Sequence, residues 1–309
     1  MEKHEYSPVV AQKNYEELRS ESRKGIAISE TEIETLDEFL SPLLINGQSI
    51  HHICSNNRSE IMYSEKTIYN YVDLGLFRAR NIDMPRIVKY RIRKSNHDTL
   101  KVDKECRQGR TYDLYTAYIE KNPNALVVQI DSVEGKKGGK VLLTIHFPKA
   151  EFMLAYIRER NTAASVENIF ERLYWEIGPE AFMMLFPVLL ADNGSEFTDP
   201  ESIEKDKNGN PRTKVFYCDP RSPEQRPEQE NNHSMIRRVI PKGTSLDQYE
   251  QADIDKMMNH INSYGRQNLG NRSPYEIFEM MYGGKILEKL GAKLIPANEI
   301  ILRPALLKK

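Results

Sequence analysis

The chain has 309 residues, of which 39% are hydrophobic and 29% charged, with a formal net charge of −1. This length allows about two domains with a sizeable core, and no apolar run approaches the roughly 20 residues of a membrane-spanning helix. The polar N-terminus lacks the apolar stretch of a secretory signal, and Cys54, Cys106 and Cys218 fit neither a disulfide framework nor a Cys-x-x-Cys metal pattern, so a reducing cytoplasm is expected.

Residues 1–40 form a helical N-terminal segment on this reading. "AQKNYEELRSESRK" and "SETEIETLDEFL" have helical character, and the second presents Ile33, Leu36, Phe39 and Leu40 at helical spacing. In residues 41–77, Ser49 can cap a short helix holding Ile50, Ile53 and Cys54. Ser64 can cap a second with Ile68, Tyr69 and Val72 inward. Two short helices joined by a turn fit a helix-turn-helix, whose second helix enters the major groove of DNA. Glu65, Lys66, Thr67 and Asn70 then lie on the outer face. The same pattern also occurs in ordinary helical domains. Residues 78–122 read as a basic linker whose charge the balanced total conceals. Arg78, Arg80, Arg91, Arg93 and Lys94 are its candidates for DNA phosphates, against the alternative of a solvated connector.

From about Asn124 the texture becomes β-like. "NALVVQIDSV", "KVLLTIHF" and "EFMLAYIRE" are three successive strands, the first two separated by the turn "EGKKGG". The amphipathic "TAASVENIFERLYWEIG" follows, then the apolar run "MMLFPVLLADNG" as a fourth strand and "KVFYCDP" as another short one. The fold class is therefore α/β: a mixed sheet flanked by helices over residues 123–285, preceded by a small all-α region and followed by a C-terminal tail, 286–309.

Asp131 ends the first strand-like run, Asp192 ends the fourth, and Glu230 opens the helix-like "QENNHSMIRRVI". Parallel strand ends and an adjacent helix N-terminus can converge in space. Hard oxygen ligands of this kind suit Mg2+ or Mn2+. A pair of such ions supports in-line phosphoryl transfer. Taken singly, each carboxylate is more often a cap or a solvated group. In "ADNGSEF", Asn193 and Gly194 suit a turn that tolerates positive φ, and Asp192 can bond the backbone ahead of it; Glu196 is a weaker site candidate that reads rather as a solvated turn residue. His233 stands three residues after Glu230, but no second Glu-x-x-His and no His-Glu-x-x-His accompanies it, so it reads as lining a site or the surface. Ser195 lacks a Gly-x-Ser-x-Gly elbow, and the run from Gly135 to Lys140 lacks a P-loop ending; it reads as a basic hairpin touching DNA or a solvated turn.

The stretches "QIDSVEGKKGGKVLLTI", "LLADNGSEF", "PEQRPEQENNHSMIRRVIPKG" and "NRSPYEIF", with "EKTIYNYVDLGLFRARNIDMP" upstream, resemble in order and spacing the DDE transposases of the insertion sequence thirty family. The resemblance runs from about residue 41 to the C-terminus. It implies a ribonuclease H-like integrase core and a catalytic, metal-holding triad of Asp131, Asp192 and Glu230, with Glu230 favoured over Glu228 and Glu224 by its distance to "PKG". It further implies two Mg2+ or Mn2+ ions, Arg237 at a DNA phosphate, and Asn193, Gly194, Asn231 and His233 lining the site. The implied partners are transposon ends and target DNA, bound by a homo-oligomer in a bacterial, nucleoid-associated setting. The implied activity is strand cleavage and strand transfer. A DNA-binding remnant that regulates an intact transposase, or a structure-selective nuclease on the same core, are the alternatives. The chain departs from the family's Trp-Glu-x-Asp at Val128, Gln129 and Ile130, and from its glycines at Pro227 and Ser234. It also shows no additional helix-turn-helix ahead of the first, which suggests truncation.

Overall fold

The computed structural model describes residues 7–21, 28–85, 105–220 and 222–308. The basic candidates Arg91, Arg93 and Lys94 lie outside the described residues. At the N-terminal end come α1 (Pro8–Glu21), α2 (Glu30–Ile45), α3 (Ile50–Asn56) and α4 (Glu65–Asp73). Side-chain capping starts three of them. Ser29 and Glu32 form a reciprocal capping box on α2, while Ser49 and Ser64 accept from the backbone amides of His52 and Thr67. Leu36, Leu40, Leu44, Ile50, Ile53, Ile68, Tyr71, Val72 and Phe77 form their shared core. One sequence expectation is corrected there. Tyr69 is 41% exposed and Tyr71 takes the inward position, because Ile68, Tyr71 and Val72 make the i, i+3, i+4 stripe of a helix and Tyr69 lies off it.

A helix α5 (Tyr112–Lys121) leads into a five-stranded sheet of order β3-β2-β1-β4-β5. The strands are β1 (Val127–Glu134), β2 (Val141–Phe147), β3 (Phe152–Arg158), β4 (Val188–Ala191) and β5 (Lys214–Tyr217). β2 runs antiparallel to β1 and β3, whereas β4 pairs parallel with β1 and β5. The sheet is thus mixed, antiparallel on the β3 side and parallel on the β5 side. β4 is shorter than the apolar run suggested. Phe182 to Leu185 close a separate helix, α7 (Pro179–Leu185), and only Val188–Ala191 pair in the sheet. An unbroken apolar run does not distinguish a buried helix from a buried strand.

Both faces of the sheet are covered. On one, α6 (Ala163–Ile177), α7, α11 (Pro274–Tyr282) and α12 (Gly284–Lys289) complete a core with Ile130, Phe147, Phe152, Phe170 and Phe278. On the other, α9 (Pro227–Val239) and α10 (Gln251–Ser263) bury Ile236, Val239, Ile254 and Ile261 over Val133, Leu142 and Met153. A short α8 (Pro200–Glu204) stands before β5, and Tyr115 and Tyr118 of α5 pack on Phe216 of β5. The turn Gly135–Lys140 docks on the loop at Thr244–Asp247: a Cβ at Gly135 would collide with the Thr244 carbonyl, and the Lys140 amide donates to Asp247 (2.8 Å). No helix among the described residues is long and apolar enough to cross a membrane.

Candidate active site

Strand register brings the two aspartates together. β1 and β4 pair in parallel from Val127 opposite Val188 to Ile130 opposite Ala191, and the next residue on each strand is an aspartate. β1 itself continues to Glu134 against β2 alone. Asp131 therefore lies within its strand, not at its end as the sequence suggested, at the point where the β4 side opens. The carboxyls touch, with Asp192 donating a hydrogen bond to Asp131. Burial and the neighbouring Asp131 charge push the Asp192 carboxyl up to about 7, and burial also raises Asp131. Two carboxylates at one site cannot both ionise without a counter-charge. Local bonds fix their orientation: Asp131 Oδ1 accepts from the Ser132 amide (2.7 Å) and Asp192 Oδ1 from the Gly194 amide (3.0 Å).

The turn after Asp192 works differently from the expectation of positive φ. Gly194 has φ −63° and ψ 151°, and Asn193 is not among the described residues with positive φ. What excludes a side chain at Gly194 is space, since a Cβ there would strike the Glu196 carboxylate. Glu196 is accordingly 5% exposed, a correction to its reading as solvated. Its carboxylate lies close enough to raise both aspartates further. The Asn193 side chain donates to the Cys218 carbonyl (2.8 Å), while the Asn193 backbone carbonyl accepts from Arg107 (3.2 Å).

Several supporting residues had no signal in sequence. Arg226, at the entrance to α9, donates to the Ile130 carbonyl (2.9 Å) and stands 3.7 Å from the Asp131 carboxylate. Arg158, 4% exposed, donates to Ser132 (2.7 Å), Asn161 (2.8 Å) and Ser165 (3.0 Å), beneath the end of β1. On the α9 face, Thr144 donates to the Asp131 carbonyl (3.1 Å), and His233 Nε2 lies 2.9 Å from the same hydroxyl. A hydroxyl has one proton, so His233 presents an N–H there and is neutral on its other nitrogen. Burial, with help from Arg226 and Arg237, lowers His233 to about 4. Next to it, Asn232 bonds His146, which burial lowers to about 3. His233 thus borders the site without facing the carboxylate oxygens in any described contact.

Glu230 and Asn231 lie in the first turns of α9, with side chains outside the described residues. Among the described residues, no group of three His, Cys, Asp or Glu side chains forms a metal cage. Arg237 is half-buried and donates to the Glu134 carbonyl (2.7 Å). Lys66 and Asn70 are exposed on α4, and Thr67 is partly buried and bonded to Ser64 (2.8 Å). Arg80 is exposed, whereas the Arg78 guanidinium is engaged by Asp37 (2.7 Å). Of the predicted residues, the described contacts unite only Asp131 and Asp192, with Asn193, Gly194 and His233 at their borders.

No family model matches the chain. It is 27% identical over 224 residues to a protein of Streptococcus salivarius named probable transposase for insertion-like sequence element IS1161, an alignment covering 71% of this chain and 60% of that one. It is 24% identical over 288 residues to the putative integrase ORF3 of Spiroplasma virus SpV1-R8A2 B, covering 89% and 81%. Over 66 residues it is 42% identical to the transposase for insertion sequence element IS30A of Escherichia coli K12, covering 21% and 17%. The catalytic core domain of BIV integrase superposes over 52% of this chain and 99% of its own, at a TM-score of 0.38 and 20% identity. The chain is thus similar in sequence to insertion-sequence transposases, those of the IS30 type among them.

Proposed function

We propose that the chain cleaves and joins DNA strands as a transposase. The observation that supports this reading most directly is the contact between Asp131 and Asp192, set by the parallel register of β1 and β4. The named activities of its relatives, transposase and integrase, point the same way. Water attacks a phosphodiester phosphorus, the bond to the 3′ oxygen breaks, and the freed 3′-hydroxyl then attacks a phosphodiester of target DNA with loss of that strand's own 3′ oxygen.

The donor set fits a hard divalent cation. Two oxygen ligands already touch, and the high proton affinity of Asp192 marks a missing positive charge. Asp131 and Asp192 would hold Mg2+ or Mn2+, with Glu230 as the third carboxylate. When bound, such ions supply Lewis-acid stabilisation of the attacking and leaving oxygens. The chain's own part is positional. Arg226, Thr144 and Arg158 hold β1 around Asp131, the Gly194 amide holds the Asp192 carboxyl, and α9 would supply Glu230. Lys66 and Asn70 on α4 would meet base edges or phosphates, with Arg80 and Arg237 reserved for backbone phosphates.

The test is a labelled duplex incubated with purified chain and Mg2+ or Mn2+, scored for nicking and for joined products. Cleavage and joining that vanish in Asp192→Asn and in Glu230→Gln support the proposal. Unchanged cleavage by either variant overturns the site, nicking without joining favours a nuclease, and salt-sensitive binding without cleavage favours a regulatory DNA-binding protein.

A further inference from the structure

The residues expected to be a C-terminal tail fold back between the helix pair α3–α4 and the sheet domain. Ile300, Leu302, Leu306 and Leu307 are buried in the same apolar cluster as α9 and α10. From the other side, fully buried Gln48 donates to the Ala297 and Ile300 carbonyls (3.0 and 2.9 Å). The Leu302 amide donates to the Asn46 carbonyl (2.8 Å). Asn57 and Asn298 exchange amide hydrogen bonds (both 3.0 Å), and Arg303 donates to the Asp83 carbonyl and carboxylate (2.8 and 3.0 Å). The segment is therefore bonded to both bodies.

Direct contacts close the junction. Tyr264, after α10, stacks on His52 of α3 at 4.2 Å between ring centroids, and its hydroxyl donates to Ser49 (2.8 Å), the residue that caps α3. His51 bridges Glu65 of α4 and Asn271 of the sheet domain, 2.8 Å from each. Beside these contacts runs a groove of about 470 Å3 from Tyr69 of α4 to Ser234 of α9, lined by Arg238 and Arg266 and, among the described residues, by no carboxylate. Buried hydrogen bonds and stacked rings of this kind hold one relative orientation, because sliding either body would strand the buried donors and acceptors of the other. A helix pair on a loose tether would have no such constraint.

We propose that this junction acts as a ruler: it fixes the offset between the DNA sequence read by α4 and the phosphodiester brought to Asp131 and Asp192. The inference rests on the transposase reading above, and it adds that the cut position is set within one chain by Gln48, Asn298, Arg303 and their partners. The basic groove is the path along which the DNA backbone joins the two sites.

The experiment uses the full chain and a duplex selected from a random-sequence pool by binding to it. The binding site is mapped by hydroxyl-radical footprinting and the cuts by sequencing gels with Mn2+. The parent chain is expected to cut mainly at one phosphodiester, and short insertions between footprint and cut should leave the offset from the footprint unchanged. Asn298→Ala combined with Arg303→Ala should keep the footprint but spread the cuts, lowering the share at the main position several-fold. The insertion series needs no variant, so it decides the question even if the double variant unfolds. A parent cut that stays with its original phosphodiester after insertion, or a double variant as exact as the parent, overturns the ruler. If the parent cuts nowhere, the transposase reading fails first and the ruler with it.

Discussion

The carboxylate end of the sheet and the junction around Gln48 are both built from buried polar groups, yet their electrostatics are opposite. At the junction, donors meet acceptors: Gln48 with two carbonyls, Asn57 with Asn298, Arg303 with Asp83. At the sheet end, two acids touch and a third, Glu196, is buried beside them. The first arrangement holds a geometry. The second keeps a site short of positive charge, and like-charge pairs of this sort cluster where chemistry is done. The fold supplies rigidity at one place and a poised imbalance at the other.

Removing the acids is the strongest way to break this contrast. Asp131→Asn or Asp192→Asn should lower metal-dependent DNA cleavage by about a thousandfold or more, read on a labelled duplex. Breaking the junction should instead cost stability. Gln48→Ala leaves the buried Ile300 carbonyl without its side-chain donor and should destabilise the chain by about 2 kcal/mol in urea unfolding.

Within the sheet end, the buried acid and the buried histidines depend on pH with opposite sign. The folded-state value of Asp192 is raised from 3.8 to about 7, so its contribution to stability is present at low pH and is lost as pH rises toward and through about 7. Metal-free Asp192→Asn should therefore melt higher than the parent at pH 8, and the difference should shrink toward pH 4. For His146 and His233 the folded values fall from 6.5 to about 3 and about 4. Their contribution is full above pH 6.5 and is lost as pH drops toward those values, so His146→Gln should flatten the acid limb of the stability curve. The smallest effect is expected outside both regions. Exposed Lys66→Ala should reduce the salt dependence of DNA binding by about one phosphate contact, with little change in melting temperature.

How much was legible in sequence varied with the distance over which each feature is decided. Ser49 and Ser64 announce helix starts within a few residues, and both cap as side-chain acceptors. The β-like runs around Ile130, Ile145 and Leu154 all became strands. Tyr69 was misread because three inward positions on a helix of barely two turns leave its phase loosely determined. Glu196 was misread because an acidic residue in an Asn-Gly turn is normally solvated, and nothing nearby shows that its carboxylate folds back over Gly194. Arg226 and Arg158 were invisible, since an arginine's role depends on which carbonyl or hydroxyl a distant strand brings to it.

The sequence by itself determined the α/β class of fold and the order of its strands, because periodicity and turn chemistry are local, and it offered the acids to consider. Tertiary structure decided which acids meet. The pairing of Ile130 with Ala191 sets Asp131 beside Asp192; a one-residue slip of that register would turn one of them to the other face of the sheet. It also decided that the C-terminal residues bind the helix pair to the sheet, through hydrogen bonds spanning more than 200 positions of the chain, such as Gln48 to Ile300. Such contacts depend on the folding of everything between, and no local pattern encodes them.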